Sequence, residues 1–231
     1  MEKPIENTSG ETSAPSKSHY VSMDEWIAKM KLAFTNAQLP AILPYFVTVG
    51  YTKESFENML NETIELENLS QAYKREQSEQ YEETEKFNKQ KDSVNETFLR
   101  HRDLCRVLFR KNLAAQTILM LNQATKTAYA NWIQLVLNFY GQLSASETLK
   151  ADVAKLSISE ADISQALEAI ASLQALKESQ KKETSEAQVA SEVRDKAFDA
   201  IHEKYREVMD YAKVLLKDNQ HLEAMGVVVK R

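Results

Sequence analysis

Residues 100–112 read RHRDLCRVLFRKN, and residues 207–219 read EVMDYAKVLLKDN. Four residues of the first stretch are identical in the second at a constant offset of 107: Asp103, Val107, Leu108 and Asn112. The same offset lays residues 51–112 over 158–219 without a gap and gives 15 identities in 62 positions. A gapless match of this length indicates an internal duplication.

The candidate helix caps and the tryptophans near the long repeats also fall on matching positions. Thr52 falls on Ser159, and both residue types suit the N-cap of a helix. With a one-residue shift of the offset, Trp26 meets Trp132, and the chain has no other tryptophan. We therefore interpret Trp26 and Trp132 as equivalent structural anchors.

The distribution of glycine and proline indicates the fold class. The chain contains four of each, and none lies between Tyr51 and Tyr140. Strand-rich folds need such turn residues at regular intervals, whereas long helices exclude them. The apolar residues of the same stretch recur about every 3.5 positions, as in coiled coils. The chain is predicted to be all-α.

The repeats define the predicted domain organisation. Residues 1–20 have almost nothing to bury, so we expect a disordered tail. Residues 21–231 are predicted to form one helical domain made of two repeats, about residues 22–112 and 127–225. Each repeat would hold a short helix, an irregular connection and one long helix, which is either continuous or kinked near Asn88.

An elongated bundle with its two long helices antiparallel is the simplest assembly of such repeats. The first long helix is acidic in its first part and basic in its last, with five basic and two acidic residues from Ser93 to Lys111. Antiparallel pairing would place each acidic start beside a basic end. A solvated face with no role in pairing is the alternative explanation of the charge pattern.

Composition restricts the class of protein. The single cysteine, Cys105, excludes an intramolecular disulfide. The N-terminal sequence lacks the apolar region of a signal peptide, so we expect a cytoplasmic protein. The net charge of −5 argues against general attraction to nucleic acid or to anionic membranes.

The tetrapeptide at residues 101–104, His-Arg-Asp-Leu, matches the catalytic loop of protein kinases. That loop needs an asparagine five residues after the aspartate to hold magnesium, but this position is Leu108. A glycine-rich phosphate loop is also missing from the sequence. We interpret the tetrapeptide as part of the basic end of a long helix.

Basic residues at this helix end form a candidate binding surface. Arg102, Arg106 and Arg110 recur every four residues and would share one helix face together with Lys111. Cations near a helix C-terminus also complement its dipole. The stripe either only stabilises the C-terminal end of the helix or also binds an acidic partner, a phosphate or a nucleic acid.

No pattern in the sequence predicts chemistry. Asp199 and His202 lie three apart, as do Asp218 and His221, but a di-iron site needs Glu-x-x-His motifs and further glutamates. Catalytic triads cannot be assigned from spacing either. We expect no catalytic residues, no cofactor and no metal, and thus a protein that is not an enzyme.

Residues 112–146 are nearly uncharged, with Lys126 as the only ionised side chain in 35 residues. Three interpretations compete. The segment forms core helix, docks a partner or a second copy of the chain, or enters a membrane as a hairpin.

Three features together resemble bacterial all-helical proteins that have no assigned function: the Trp-Ile pairs, Gly50-Tyr51-Thr52 before a long Glu/Lys/Gln helix, and the stretch from His101 to Val107. The resemblance implies no activity. Long polar helices present extended surfaces, so we expect a helical scaffold or protein-interaction module that can self-associate. A membrane-surface protein acting through residues 112–146 is the alternative, and anion binding by the arginine stripe is the second alternative.

Overall fold

The computed structural model describes residues 21–125 and 128–227. The disordered tail predicted for residues 1–20 lies outside the described residues. Within the described part of the chain all regular structure is helical, which confirms the all-α prediction. The helices are α1 (Met23–Asn36), α2 (Leu43–Val47), α3 (Lys53–Leu108), α4 (Leu113–Ile118), α5 (Tyr129–Ala145), α6 (Glu147–Ala154), α7 (Glu160–Leu215) and α8 (Asn219–Ala224).

The predicted helix starts are confirmed by their hydrogen bonds. Ser22 and Glu25 form a capping box at α1, in which each side chain accepts from the backbone N–H of the other residue. Thr52 Oγ1 accepts from the N–H three residues on, at 3.1 Å, and Ser159 Oγ makes the same bond, also at 3.1 Å. These short polar side chains satisfy N–H groups that the first turn leaves without a helical partner.

The two long helices have the same length, 56 residues each. Both run without interruption, and α3 is helical through Asn88. Glycine and proline, the residues that most often break helices, are absent from both segments.

The connections between short and long helices differ from the prediction. The sequence predicted irregular chain, but the structure places α2 before α3 and α6 before α7. Pro44 lies in the first turn of α2, where its missing N–H leaves no helical hydrogen bond unmade. A short helix also follows each long one. One of them, α4, lies in the segment 112–146 for which helix was one interpretation, whereas α8 was not predicted.

The chain forms two compact units. Of the described residues, unit 1 contains 21–68 and 197–227, and unit 2 contains those between Leu69 and Lys196. Each unit therefore takes the start of one long helix and the end of the other. The single domain predicted for residues 21–231 stays a prediction.

Unit 1 pairs the start of α3 with the end of α7 in antiparallel directions. The ring of Tyr51 lies 5.9 Å from that of Tyr211, and further along α3 the carboxylate of Glu62 lies 2.6 Å from Lys204 Nζ. The helices α1, α2 and α8 add to this pair. The core is formed by buried apolar side chains, among them Ile27, Met30, Phe34, Phe46, Phe56, Leu66, Val208 and Ala212.

Unit 2 pairs the end of α3 with the start of α7, again antiparallel. Arg194 stacks 4.0 Å from the ring centroid of Tyr73, and further along α3 Lys177 Nζ lies 4.8 Å from the centroid of Phe87. The helices α4, α5 and α6 cover the pair. The core side chains include Phe98, Cys105, Phe109, Leu119, Trp132, Val136, Phe139, Val153, Ile163 and Ile170.

Candidate functional site

Arg102, the first residue of the predicted basic stripe, is fully buried at 0% exposure. Its guanidinium donates to Thr125 Oγ1 at 3.0 Å, to the carbonyl of Met120 at 3.4 Å and to the carbonyl of Gln123. The group also lies 5.6 Å from the ring centroid of Phe98, and burial lowers its pKa. Arg102 thus binds the loop after α4 through hydrogen bonds and does not face solvent.

The other basic residues of the stripe are exposed but not equivalent. Arg106 Nε donates to the carbonyl of Leu121 at 3.0 Å, and its Nη1 pairs with Asp103 at 3.0 Å. Arg110 and Lys111 are exposed at the end of the helix. Arg102 is therefore separated from the accessible cations. Anion binding by the remaining three stays a prediction.

Both units expose the same pattern near the end of a long helix, which we call the valine face. In unit 2 this face consists of Asp103, Arg106, Val107 and Arg110. In unit 1 it consists of Asp210, Lys213, Val214 and Lys217. The first three members of each set, spaced i, i+3 and i+4, lie on one side of the helix, and the fourth follows two residues after the helix ends. The two valines are 76% and 75% exposed, and the aspartate–cation pairs span 3.0 and 2.8 Å.

His101, the first residue of the kinase-like tetrapeptide, lies inside unit 2. It is 4% exposed, and its Nδ1 lies 3.0 Å from the hydroxyl of Tyr140. Burial, reinforced by the nearby charge of Arg100, lowers the pKa of His101 and keeps the imidazole neutral at pH 7. The tetrapeptide is part of α3, as interpreted from the sequence.

A cavity of about 240 Å³ opens beside this histidine, within unit 2. Its lining comes from α3, α5 and α7, and its polar members are Ser93, Thr97, Arg100, His101, Tyr140, Asp162 and Gln165. Asp162 is half-buried, and hydrogen bonds from the side chain and backbone of Ser159 lower its pKa. Arg100 and Asp162 thus give the cavity one charge of each sign, on α3 and α7.

The two tryptophans occupy matching places with different contacts. Trp132 is 3% exposed, and its Nε1 donates to Asn95 Oδ1 at 2.9 Å. Trp26 is half-buried, and its ring meets that of His202 edge-on with centroids 4.6 Å apart. At the offset of 107, Asn95 corresponds to His202. Each tryptophan therefore contacts the equivalent residue of its unit.

The low-charge segment 112–146 divides between core and surface. Seven side chains of α5 are buried, Trp132, Ile133, Leu135, Val136, Phe139, Tyr140 and Leu143. In α4, Leu113 is 73% and Ile118 45% exposed. The core interpretation therefore describes α5 but not all of α4. Across the described ranges, the helices are too short or too polar to cross a bilayer.

Other reactive groups have structural surroundings. Cys105 is buried in unit 2, and burial raises the pKa of its thiol to about 12, so that it stays protonated. Carboxylate oxygens of Glu76, Glu79 and Glu183 lie within 4.8 Å of one another. Lys182 pairs with Glu183 at 3.6 Å, which offsets part of this negative charge.

The cavity was missed because its residues carry no motif. Tyr140 and Asp162 come from separate helices and have no regular spacing from His101. A usable signal lay in the alignment of the two halves of the sequence, where Tyr140 falls on Phe34 and His101 falls on Val208. Buried polar side chains at positions that are apolar in the other half need hydrogen-bond partners, which draws attention to this part of unit 2.

No protein-family model matches this chain, and no curated protein or solved structure matches it either.

Proposed function

We propose that the chain is a non-enzymatic helical scaffold of the cytoplasm, a protein-interaction module that presents one binding face twice. The valine face carries this proposal. Core residues recur in a duplicated unit because the core must be filled. A valine that is about three-quarters exposed in both units fills no core, so its repetition needs another reason.

The duplication itself is supported by backbone details that the identities do not require. Gly50 and Ser157, 107 residues apart, both have positive φ, 93° and 58°. Met120 and Gly226, 106 residues apart, do as well, with 52° and 88°. Positive φ is uncommon outside glycine, so two matching pairs support a common origin of the repeats.

The chemistry of the valine face favours an acidic partner with an apolar residue at its centre. Each valine has one cation before it in the helix and one just beyond the helix end, Arg106 and Arg110 in unit 2. In each face one cation is already paired to aspartate, which leaves the second cation for a carboxylate of the partner. Two such faces on one chain would bind a partner bivalently and gain from avidity.

Capture experiments with single and double variants of the two valines test the proposal. The expected result is that Val107→Asp and Val214→Asp each weaken capture of the same proteins from a source-cell lysate, and that the double variant abolishes it. Val189→Asp is the matched control, because Val189 is 56% exposed on α7 but outside both faces. Unchanged capture by the double variant would contradict the proposal.

The same variants separate the alternative functions. Flotation with anionic liposomes that resists high salt and persists in the double variant would favour the membrane-surface alternative. Binding of RNA or inorganic phosphate that depends on Arg110 and Lys111 but not on the valines would favour the anion alternative. Sedimentation of the purified chain shows whether the bound partner is a second copy.

A further inference from the structure

We propose that the cavity of unit 2 is a binding site for a small zwitterion of the amino-acid class. The site does not depend on the valine face, since its residues face the space between α3, α5 and α7. Its walls combine one cation, one anion, a neutral polar pair and apolar surface. This combination matches a ligand with a carboxylate, an ammonium group and a short apolar side chain.

The matching interior of unit 1 contains larger and less polar side chains. Ala166 in the cavity wall corresponds to Met59, which is 9% exposed in unit 1. Tyr140 and His101 correspond to Phe34 and Val208, both fully buried. The shorter Ala166 makes room, and the two other replacements add polar atoms at its edge.

A packing defect alone would not be lined in this way. Burying a hydroxyl and an imidazole costs free energy unless they are hydrogen-bonded. His101 and Tyr140 satisfy one another at 3.0 Å, which leaves the second ring nitrogen of His101 for a further partner. The imidazole is neutral, so this end of the cavity offers hydrogen bonding without net charge.

The two charges lie on different helices of the cavity wall. Arg100 belongs to α3, and its guanidinium suits a carboxylate. Asp162 belongs to α7, where Oδ2 accepts both hydrogen bonds from Ser159, at 2.7 and 2.6 Å. The other carboxylate oxygen, Oδ1, is the atom that we assign to the ligand's ammonium group.

The volume of the cavity sets the size of the ligand. A cavity of about 240 Å³ equals roughly eight water molecules at about 30 Å³ each. It is smaller than the pockets of about 300 to 1,000 Å³ that hold drug-sized molecules. Val94, Ala166 and Ala169 supply apolar wall for a side chain of a few carbon atoms.

Titration calorimetry of the full chain with the free proteinogenic amino acids tests the site. At least one short apolar amino acid should bind saturably with a Kd below about 1 mM. Its decarboxylated amine and its deaminated acid should each bind at least about tenfold more weakly, since each leaves one charge of the wall unpaired. No saturable binding by any amino acid at about 10 mM, or equal binding of either analogue, would overturn the proposal.

Exchange of residues between the units locates the binding. Ala166→Met introduces the side chain of the matching position and should abolish binding, whereas the matched Met59→Ala in unit 1 should leave affinity unchanged. Arg100→Gln should lower affinity for the amino acid about tenfold and leave the decarboxylated amine unaffected. Binding that survives Ala166→Met in a chain whose circular dichroism matches the wild type would overturn the proposal. The comparison of the amino acid with its two analogues uses the wild-type chain, so it tests the proposal even if a variant fails to fold.

Discussion

Unit 1 and unit 2 each pair the start of one long helix with the end of the other, but their interiors differ. In unit 1, Phe34, Met59 and Val208 are buried as an apolar set. In unit 2 the matching positions hold Tyr140, Ala166 and His101, which line a cavity. Three side chains thus change an apolar core into a site with hydrogen-bonding groups.

The comparison teaches that the helical frame does not determine what the interior does. The starts and the 56-residue lengths of α3 and α7 match, and so do the positions with positive φ. The side chains differ in polarity at core positions that the apolar spacing of the sequence does not distinguish. Two units with matching long helices can therefore differ in interior chemistry, and the proposed ligand would bind only in unit 2.

The largest expected loss of stability comes from removing a tryptophan, and it should differ between the two units. Trp132→Ala should lower the free energy of unfolding by about 3–5 kcal/mol, because the ring is buried and its N–H is hydrogen-bonded to Asn95. Trp26→Ala should cost about 2 kcal/mol, since Trp26 is half-buried. Urea unfolding followed by circular dichroism measures both. Equal losses would remove the distinction, and a loss near zero at either site would show that it is not an anchor.

The buried arginine gives an intermediate effect. Arg102 corresponds to Met209 in unit 1, so Arg102→Met gives unit 2 the residue of unit 1. The change should destabilise the chain by about 2 kcal/mol, because the carbonyls of Met120 and Gln123 lose a charged donor. Hydrogen exchange should increase in the loop after α4. Arg110→Met, at an exposed position just after the end of α3, is the control and should change stability by less than about 0.5 kcal/mol.

The smallest effect is a change in pH dependence. The pKa of His101 is lowered by burial, so the unfolded state takes up the proton first as the pH falls below about 6.5. The free energy of unfolding therefore decreases from pH 7 towards pH 5. His101→Val combined with Tyr140→Phe gives both positions their unit 1 residues, and this decrease should become smaller.

Two charged groups that influence His101 remain in that double variant. Arg100 and Asp162 are unchanged, as is His202 of unit 1, whose pKa is also lowered by burial. The difference between wild type and variant therefore isolates His101. The same pH dependence in both chains would show that His101 does not titrate differently on unfolding.

Much of the frame was predictable because it depends on local signals. The caps at Ser22, Thr52 and Ser159 follow from side chains that bond N–H groups three residues away. The absence of glycine and proline predicted helices of about the right length. The short helices α2, α6 and α8 were missed, because segments of five to eight residues show too few periods of apolar spacing.

The candidate sites were less predictable because they depend on tertiary contacts. Periodicity placed Arg102, Arg106 and Arg110 on one helix face, but burial depends on the loop that covers Arg102. The cavity likewise depends on α5 lying beside α3 and α7. Spacing along one helix contains no information about either neighbour.

The position of Cys105 has a kinetic consequence. The thiol is fully buried and protonated, so a maleimide reagent reaches it only when the surrounding packing opens. Its counterpart in unit 1 is Ala212, and the chain has no second cysteine. The rate at which maleimide labels the unmodified protein therefore reports the rate at which unit 2 opens. A ligand that binds in the interior of unit 2 would lower this labelling rate.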